Sequence, residues 1–321
     1  MLGVFLDRDS LDTGDLDLSV LEEALPGWRF FAATEPEEVA ERIAGAQVVV
    51  SNKVPLTAEV IEAASDLQFI CVAATGTNNV DLEAARARGV IVSNVRGYAT
   101  PSVVQHVFAL ILALTTRLTQ YREAVAAGRW QESSQFCLLD FPIAEIAGRT
   151  LGIVGYGELG QGVARVAQAF GMQVRIAVRP GTESGSAGAG ERRPLHDLLP
   201  ELDVLTLHCP LTEQTRGLIG AQELARLPDH ALLINTARGG IVEEQALADA
   251  LRDGRLGGAG IDVLSVEPPA AGNPLLAPDI PNLIVTPHIA WASRESRQRM
   301  LREVAENVRA FAAGTPRNRV V

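Results

Sequence analysis

The 321-residue sequence predicts an α/β protein made of two doubly wound parallel-sheet domains. Three observations carry that expectation. Apolar runs of strand length alternate with helix-periodic stretches along both halves of the chain. The length suffices for two separate cores. A turn of sequence GYGELG, residues 155–160, stands between an apolar run and an amphipathic stretch where the second half begins.

In the first half, residues 4–6, 28–31, 48–50, 69–72 and 90–92 read as strands, with helical stretches around 18–25, 37–43, 57–64 and 81–88. No glycine fingerprint follows any of these strands, so this half is expected to hold something other than a nucleotide. Next comes the least polar stretch, 103–114, interrupted by Gln105 and His106 and too short to span a bilayer. It reads as a buried helix, with Thr100 as its cap and Pro101 in its first turn. From 103 to about 130 the chain is apolar beyond one face, which suits burial against a second subunit as well as the core. The second half offers six strands, at 151–154, 174–178, 204–207, 231–234, 260–263 and 283–285, then a final amphipathic helix over 293–312. Residues 181–190, rich in Gly and Ser, read as a mobile surface loop.

Strand, glycine turn, helix, strand is the context that makes the 155–160 pattern a dinucleotide fingerprint. Gly155 makes the tight turn, Gly157 lets a pyrophosphate approach the backbone, and Gly160 lets helix and sheet pack closely; Tyr156, Glu158 and Leu159 complete the loop. About 20 residues on, NAD-preferring proteins place an acid for the ribose 2′-hydroxyl. Here that position is Val178, with Arg179 beside it. An arginine attracts a 2′-phosphate, so NADP is expected over NAD. Stacking of Arg179 on adenine, or exposure to solvent, are the other readings open to it; whether Arg192-Arg193 and the 181–190 loop fold towards the same phosphate is left open by the sequence.

Composition narrows the classes further. A net charge of −11 argues against a nucleic-acid partner. Cys71, Cys137 and Cys209 have neither disulfide nor zinc spacing, which favours a reducing compartment and no metal site. The opening residues are too short and too soon charged for a signal peptide. A cytoplasmic protein without membrane association is expected. All 28 basic residues but Lys53 are arginine, a bias that makes the one lysine notable. Lys53 follows a strand of the first half, where it either faces a ligand or is a solvated loop charge.

In open α/β sheets, ligands bind beyond the carboxyl ends of the strands. Three strands of the second half are followed there by Asn235-Thr236-Ala237-Arg238-Gly239-Gly240, by Ser265-Val266-Glu267-Pro268-Pro269, and by Thr286-Pro287-His288. Arg238 alone could be a loop charge, Glu267 a turn residue and His288 a cap. Convergence of an arginine, a carboxylate and an imidazole on one rim favours chemistry. Reducing a carbonyl by hydride requires a proton donor for the nascent alkoxide, and histidine donates and recovers a proton near neutrality. A carboxylate on the other ring nitrogen fixes the tautomer and favours the charged ring, the role assigned to Glu267. The arginine fork matches a substrate carboxylate, so Arg238 suits a 2-oxo acid.

Over essentially its whole length the chain resembles the D-2-hydroxyacid dehydrogenases. The resemblance rests on GYGELG at 155–160, HCPLTEQTRGLI at 208–219, NTARGG at 235–240, GIDVLSVEPP at 260–269 and the segment from Thr286 to Trp291. It implies a flavodoxin-like substrate domain and a Rossmann cofactor domain with a cleft between them. The first domain would be discontinuous, 1–98 plus 292–321, around a cofactor domain of 99–291. It implies substrate binding by Arg238, an acid–base pair of Glu267 and His288, and contact of Asp262 with the nicotinamide carboxamide. His208, Cys209, Pro210 and Thr215 would pass the adenosine side, with Thr236 and Ala237 also against the cofactor, and the protein would be a homodimer.

Within the family, ATGTNNVDL at 74–82, SNVRGY at 93–98, TPSVVQHVFAL at 100–110, GRW at 128–130 and Phe136-Cys137 are similar to the glycerate dehydrogenase (hydroxypyruvate reductase) branch. That likeness implies reduction of hydroxypyruvate or glyoxylate. Backbone N–H groups of Thr75, Gly76 and Thr77 would receive the substrate carboxylate, with Trp130 and Trp291 closing the pocket. Another 2-oxo acid, phosphorylated ones included, is the alternative substrate. A nucleotide-sensing corepressor is the alternative class; the intact Arg238, Glu267 and His288 set argues against it.

Overall fold

The structure is a computed structural model that describes residues 1–179 and 192–321. The chain forms two compact units, Met1–Ala99 with Trp291–Val321, and Thr100–Ala290. The 181–190 segment lies outside the described residues.

The first unit contains strands β1 (Gly3–Phe5), β2 (Trp28–Phe30), β3 (Val48–Ser51), β4 (Phe69–Val72) and β5 (Ile91–Ser93). They pair in the order β2-β1-β3-β4-β5, all parallel, which is the flavodoxin-like order. Helices α1 (Ser19–Ala24), α2 (Val39–Ile43), α3 (Ala58–Ala63) and α4 (Leu82–Arg88) connect them, and α11 (Arg294–Ala312) closes the unit from the far end of the chain.

Parallel sheets bury both faces, so their strands read as continuous apolar runs. Alternation then sorts the side chains. Val4, Val49, Ile70 and Val92 enter one core, while Phe5, Val48, Val50, Phe69 and Cys71 enter the other. Phe311 of α11 stacks on Phe69 of β4, centroids 4.6 Å apart and planes 6° from parallel. Val320 then donates its N–H to the carbonyl of Val92 at the β5 edge.

The second unit carries α5 (Thr100–Thr115), α6 (Leu118–Ala126), α7 (Glu158–Ala169), α8 (Leu195–Leu198), α9 (Ala221–Leu224) and α10 (Glu244–Arg252). Its strands are β6 (Thr150–Val154), β7 (Gln173–Ala177), β8 (Arg192–Arg193), β9 (Val204–Leu207), β10 (Leu232–Asn235), β11 (Gly258–Ile261) and β12 (Leu283–Val285). All ladder pairs are parallel, in the order β12-β11-β10-β9-β6-β7-β8. Chain order reverses at β6, which places the glycine turn at the switch point of a doubly wound sheet.

Three local expectations are corrected. Arg192-Arg193 forms a seventh strand beside β7, too short and too basic to be read from hydrophobicity, and Arg193 pairs with Glu201 at 2.9 Å. The apolar stretch from 103 to about 130 breaks at Arg117, whose backbone is left-handed (φ +53°), into α5 and α6. Thr100 does not cap α5 with its side chain; its hydroxyl donates to Glu158 Oε1 at 2.6 Å. Among the described residues no single helix is long and apolar enough to cross a membrane, although the bent pair α5 and α6 passes that test together. The apolar character of α5 is spent inside the unit, where Val103, Val107, Phe108, Leu110, Ile111 and Leu114 are buried.

Phe69 is fully buried against α11. Phe69→Ala is expected to destabilise the first unit by about 3–5 kcal/mol, read by urea unfolding with a probe in that unit. A loss below about 1 kcal/mol would mean that Phe311 and its helix collapse into the space.

Candidate active site

The glycine turn leaves β6 into α7, and each of its glycines has a distinct reason. Gly155 has φ +92°, and a side chain there would meet the carbonyl of His208 at 2.6 Å. A side chain at Gly160 would collide with the Gly155 carbonyl oxygen. Gly157, at the N-cap of α7, faces open space. That opening, against the first turn of a 12-residue helix, is where an anion meets free N–H groups.

Two further atoms mark the same rim. His208 Nδ1, after β9, and Thr236 Oγ1, after β10, are buried without a hydrogen-bond partner among the described residues. The other His208 nitrogen, Nε2, lies 2.9 Å from Thr206 Oγ1. Burial holds the His208 imidazole down to a pKa of about 4, so the ring is neutral near pH 7. Unpaired buried polar groups are costly and are retained where something else completes them. The open glycine backbone and these two atoms fit a dinucleotide laid across the switch point.

Not every residue expected beside it is available in the same way. The Thr215 hydroxyl holds its own turn, donating to the Pro210 carbonyl at 2.7 Å and accepting from Thr212 N–H at 2.7 Å. Burial raises the Cys209 thiol pKa, so it remains a neutral packing group. Val178 is half-buried and Arg179 exposed at the end of the strand next to the glycine turn.

Two of the chemistry-bearing side chains, Glu267 and His288, meet at these strand ends. His288 Nδ1 and Glu267 Oε2 are 2.6 Å apart, and both side chains are about one-third exposed, 29% and 34%. An ionised carboxylate only accepts, so the proton of this bond sits on Nδ1 and Nε2 is left for a substrate. Glu267 is itself fixed, since its Oε1 accepts from Leu264 N–H at 2.8 Å. Arg238 is exposed on the neighbouring loop, its Nη1 donating to the Ala237 carbonyl at 2.7 Å.

Two residues that the sequence reading did not single out shape these loops. Asn235 accepts from Ala237 N–H at 3.0 Å and donates to the Arg238 carbonyl at 2.9 Å, an Asx-type clamp that a strand-end asparagine signals. Glu244, opening α10, accepts from Ser265 N–H and hydroxyl, both at 2.7 Å, and from Asn273 at 2.8 Å. That grip over 29 residues has no local signature in the sequence. Gly239 presses the Arg238 loop onto the Glu267 loop, because any side chain there would collide with the Leu264 carbonyl.

Asp262 is the buried centre of the site, 1% exposed. It accepts from Thr286 Oγ1 at 2.6 Å and from the N–H groups of Ile289 and Ala290, both at 2.9 Å. Its carbonyl takes the His288 N–H at 2.8 Å. These bonds hold His288 in the left-handed region, φ +55°, a conformation uncommon outside glycine. The carboxylate expected to touch the cofactor therefore also fixes the backbone of His288.

The remaining expected residues lie in the first unit, except Trp130, which belongs to the second. Lys53 is exposed after β3, its N–H bonded to the buried Asp7 carboxylate at 2.6 Å. Thr75, Gly76 and Thr77 follow β4, where the Thr75 hydroxyl donates to the Val95 carbonyl at 2.9 Å. Trp291 is half-buried and edge-on to Tyr98, centroids 6.5 Å apart, within the core of its own unit. Trp130, 53% exposed, donates its indole N–H to the Phe136 carbonyl at 3.0 Å. Among the described residues no cluster of His, Cys, Asp or Glu has metal-binding geometry.

Fold and site together define a nicotinamide-nucleotide-dependent oxidoreductase with an Arg, Glu and His constellation. The family model for the NAD-binding domain of the D-isomer specific 2-hydroxyacid dehydrogenases matches residues 108–290. The chain belongs to that family. It is 46% identical over 316 residues to a glycerate dehydrogenase of Methylorubrum extorquens, covering 98% of this chain and 97% of that one. A hydroxypyruvate reductase of Blautia hydrogenotrophica is 38% identical over 321 residues, 98% of each chain. The solved structure of an NADPH-dependent glyoxylate/hydroxypyruvate reductase from Sinorhizobium meliloti, in complex with NADP and malonate, matches with a TM-score of 0.82 at 28% identity. That match covers 100% of this chain and 97% of the other.

Gly239→Ala is expected to lower kcat by about 10²-fold or more while the far-ultraviolet circular dichroism is unchanged, because one of the two loops must move. Retention of more than about half the rate would show that the loops tolerate separation. His208 generates a pH prediction. Its pKa falls from 6.5 to about 4 on folding, so the unfolded chain takes up the proton first. Stability is then lost as pH falls from about 6.5 to about 4, by at most about 1.4 kcal/mol per unit. Urea unfolding of His208→Gln across that range should show a correspondingly shallower decline; equal slopes would remove the argument.

Proposed function

We propose that the protein reduces hydroxypyruvate, and with it glyoxylate, to D-glycerate and glycolate, with NADPH preferred over NADH. The observation that carries the reading is the 2.6 Å pair of His288 and Glu267 on the rim that also bears Arg238. The likeness to a glycerate dehydrogenase over 98% of the chain supports the substrate.

Bound nicotinamide supplies the hydride. The chain's own groups do the rest. Arg238 takes the substrate carboxylate and polarises the neighbouring carbonyl. His288, protonated on both nitrogens, donates from Nε2 to the carbonyl oxygen as it becomes an alkoxide, and Glu267 steadies the ring through Nδ1. In the reverse direction the neutral ring accepts that proton. Backbone N–H groups of Thr75, Gly76 and Thr77, with Lys53, suit the substrate carboxylate as well. The helix start at Gly157 takes the pyrophosphate, while His208 and Thr236 offer polar atoms toward the nucleotide.

NADP preference rests on charge. Val178 and Arg179 follow β7 directly, where an acid would repel a 2′-phosphate. The complex of the Sinorhizobium relative with NADP supports it. A homodimer fits the exposed apolar side chains of Leu118, Val125, Trp130, Phe136, Leu139 and Ile143 along one stretch of the second unit.

Initial rates with hydroxypyruvate and glyoxylate, each with NADPH and NADH, test the proposal. Turnover of hydroxypyruvate with NADPH is expected, and Arg179→Asp should move the NADPH-to-NADH ratio of kcat/KM towards NADH by about tenfold, a change of about 1.4 kcal/mol. No turnover of either acid, with nucleotide still bound, would overturn the substrate; a ratio that Arg179→Asp leaves unchanged would overturn the cofactor argument.

A further inference from the structure

His106 lies on α5, outside every element of the rim that carries the chemistry. Its ring is nevertheless directed at the buried base of that rim. His106 Nε2 is 3.0 Å from Thr286 Oγ1 and 3.6 Å from Asp262 Oδ1. The side chain is 19% exposed and that of Asp262 is fully buried. Thr286 has one hydroxyl proton, and it goes to Asp262 Oδ1 at 2.6 Å. Thr286 Oγ1 therefore accepts from His106, and the His106 ring must carry its proton on Nε2. The proton direction runs one way: His106 to Thr286 to Asp262.

The position of α5 is not incidental to this contact. β11 carries glycine at 258 and 260, and a side chain at 260 would meet Leu110 Cβ at 2.9 Å, while one at 258 would meet Leu114 Cδ2 at 3.2 Å. The strand is bare there so that the helix can lie close, one turn of helix from His106. Asp262 follows that same strand. Its carboxylate then fixes Ile289 N–H and Ala290 N–H, and its carbonyl fixes His288 N–H. The backbone on both sides of His288 is thus referred to Asp262, and Asp262 is referred through Thr286 to α5.

We infer that His106 is a positioning residue for the reaction: by orienting Thr286 onto Asp262 it sets the left-handed turn that presents His288 to Glu267 and to the substrate. The inference rests on the reading of His288 as the acid, but the contact it predicts between His288 and Glu267 does not depend on which oxo acid is turned over. His106 touches neither Glu267 nor His288, and its effect reaches the ring only through the turn at residues 286–290.

The test uses His106→Leu, His106→Gln and Thr286→Val. The amide of glutamine restores a donor towards Thr286; leucine fills the space without one. On the free protein, the strongly downfield Nδ1 proton of the short His288–Glu267 bond is followed by NMR with 15N-labelled histidine. His106→Leu and Thr286→Val are expected to weaken or lose that resonance, and His106→Gln to keep it.

With hydroxypyruvate, leucine and valine should each lower kcat by at least about tenfold with KM values changed less than about twofold. The solvent deuterium isotope effect on kcat should rise, and the double variant should cost no more than the worse single one. If His106→Leu fails to fold, Thr286→Val carries the test alone. An unchanged His288 resonance in Thr286→Val or His106→Leu overturns the inference, as does a loss of rate that glutamine does not rescue. Absence of turnover in the wild type, with the resonance behaving as described, would instead count against the proposed substrate and leave the positioning role standing.

Discussion

Every ladder pair in both sheets is parallel, and that constraint governs the rest of the molecule. A parallel sheet needs a crossover for each strand, so helices cover both faces and the strand interiors must be apolar on both. Polar function is pushed to the strand ends. The runs 48–51 and 204–207 are buried throughout, with Ser51 and Thr206 their polar side chains, and the groups that ionise or exchange protons begin one or two residues beyond them. Chemistry on the rim is the consequence of a core that admits none.

Loops at a rim are the least constrained part of such a fold, and here they are constrained by one another. The Arg238 loop is folded by Asn235 and pressed through Gly239 against the Leu264 backbone. The Leu264 segment is gripped by Glu244 and by Glu267 itself. The His288 turn is gripped by Asp262. Almost all of these bonds join a side chain to a backbone group, which sets the direction of a loop rather than merely its distance. Misplacement of a reacting group by even about 1 Å is expensive in rate, so this mutual fixing is what converts three loops into one site.

That architecture also decides what the sequence could disclose. Strands of both units, the helix after the glycine turn and the strand-end positions of Arg238, Glu267 and His288 were legible, because apolar periodicity and strand-end position are local properties. β8 was not: two arginines carry no hydrophobic signal, and their strand exists only because β7 offers an edge. The break at Arg117 was not, since a left-handed arginine is set by packing rather than propensity. Thr100 and Thr215 show the limit most clearly. Thr100 reads as a helix cap and Thr215 as part of the cofactor segment; the hydroxyl of the first is bonded 58 residues away and that of the second holds its own turn. Glu244 and His106 were invisible as functional groups because their partners are 21 and 180 residues distant.

The His288–Glu267 pair is best understood against this background. At about one-third exposure an ion pair contributes little to folding, since water screens it and two side chains must be ordered to make it. Stability therefore does not account for its 2.6 Å separation. Orientation does. A neutral imidazole bonded through Nδ1 can present only Nε2, and the ring plane is set by where Glu267 stands and by the backbone of residue 288. Glu267 is held by Leu264 N–H, and the backbone by Asp262, so the two ends of the hydrogen bond are fixed by different strands. That geometry exists before any ligand arrives, and a charge interaction worth little in solvent strengthens wherever water is excluded from it.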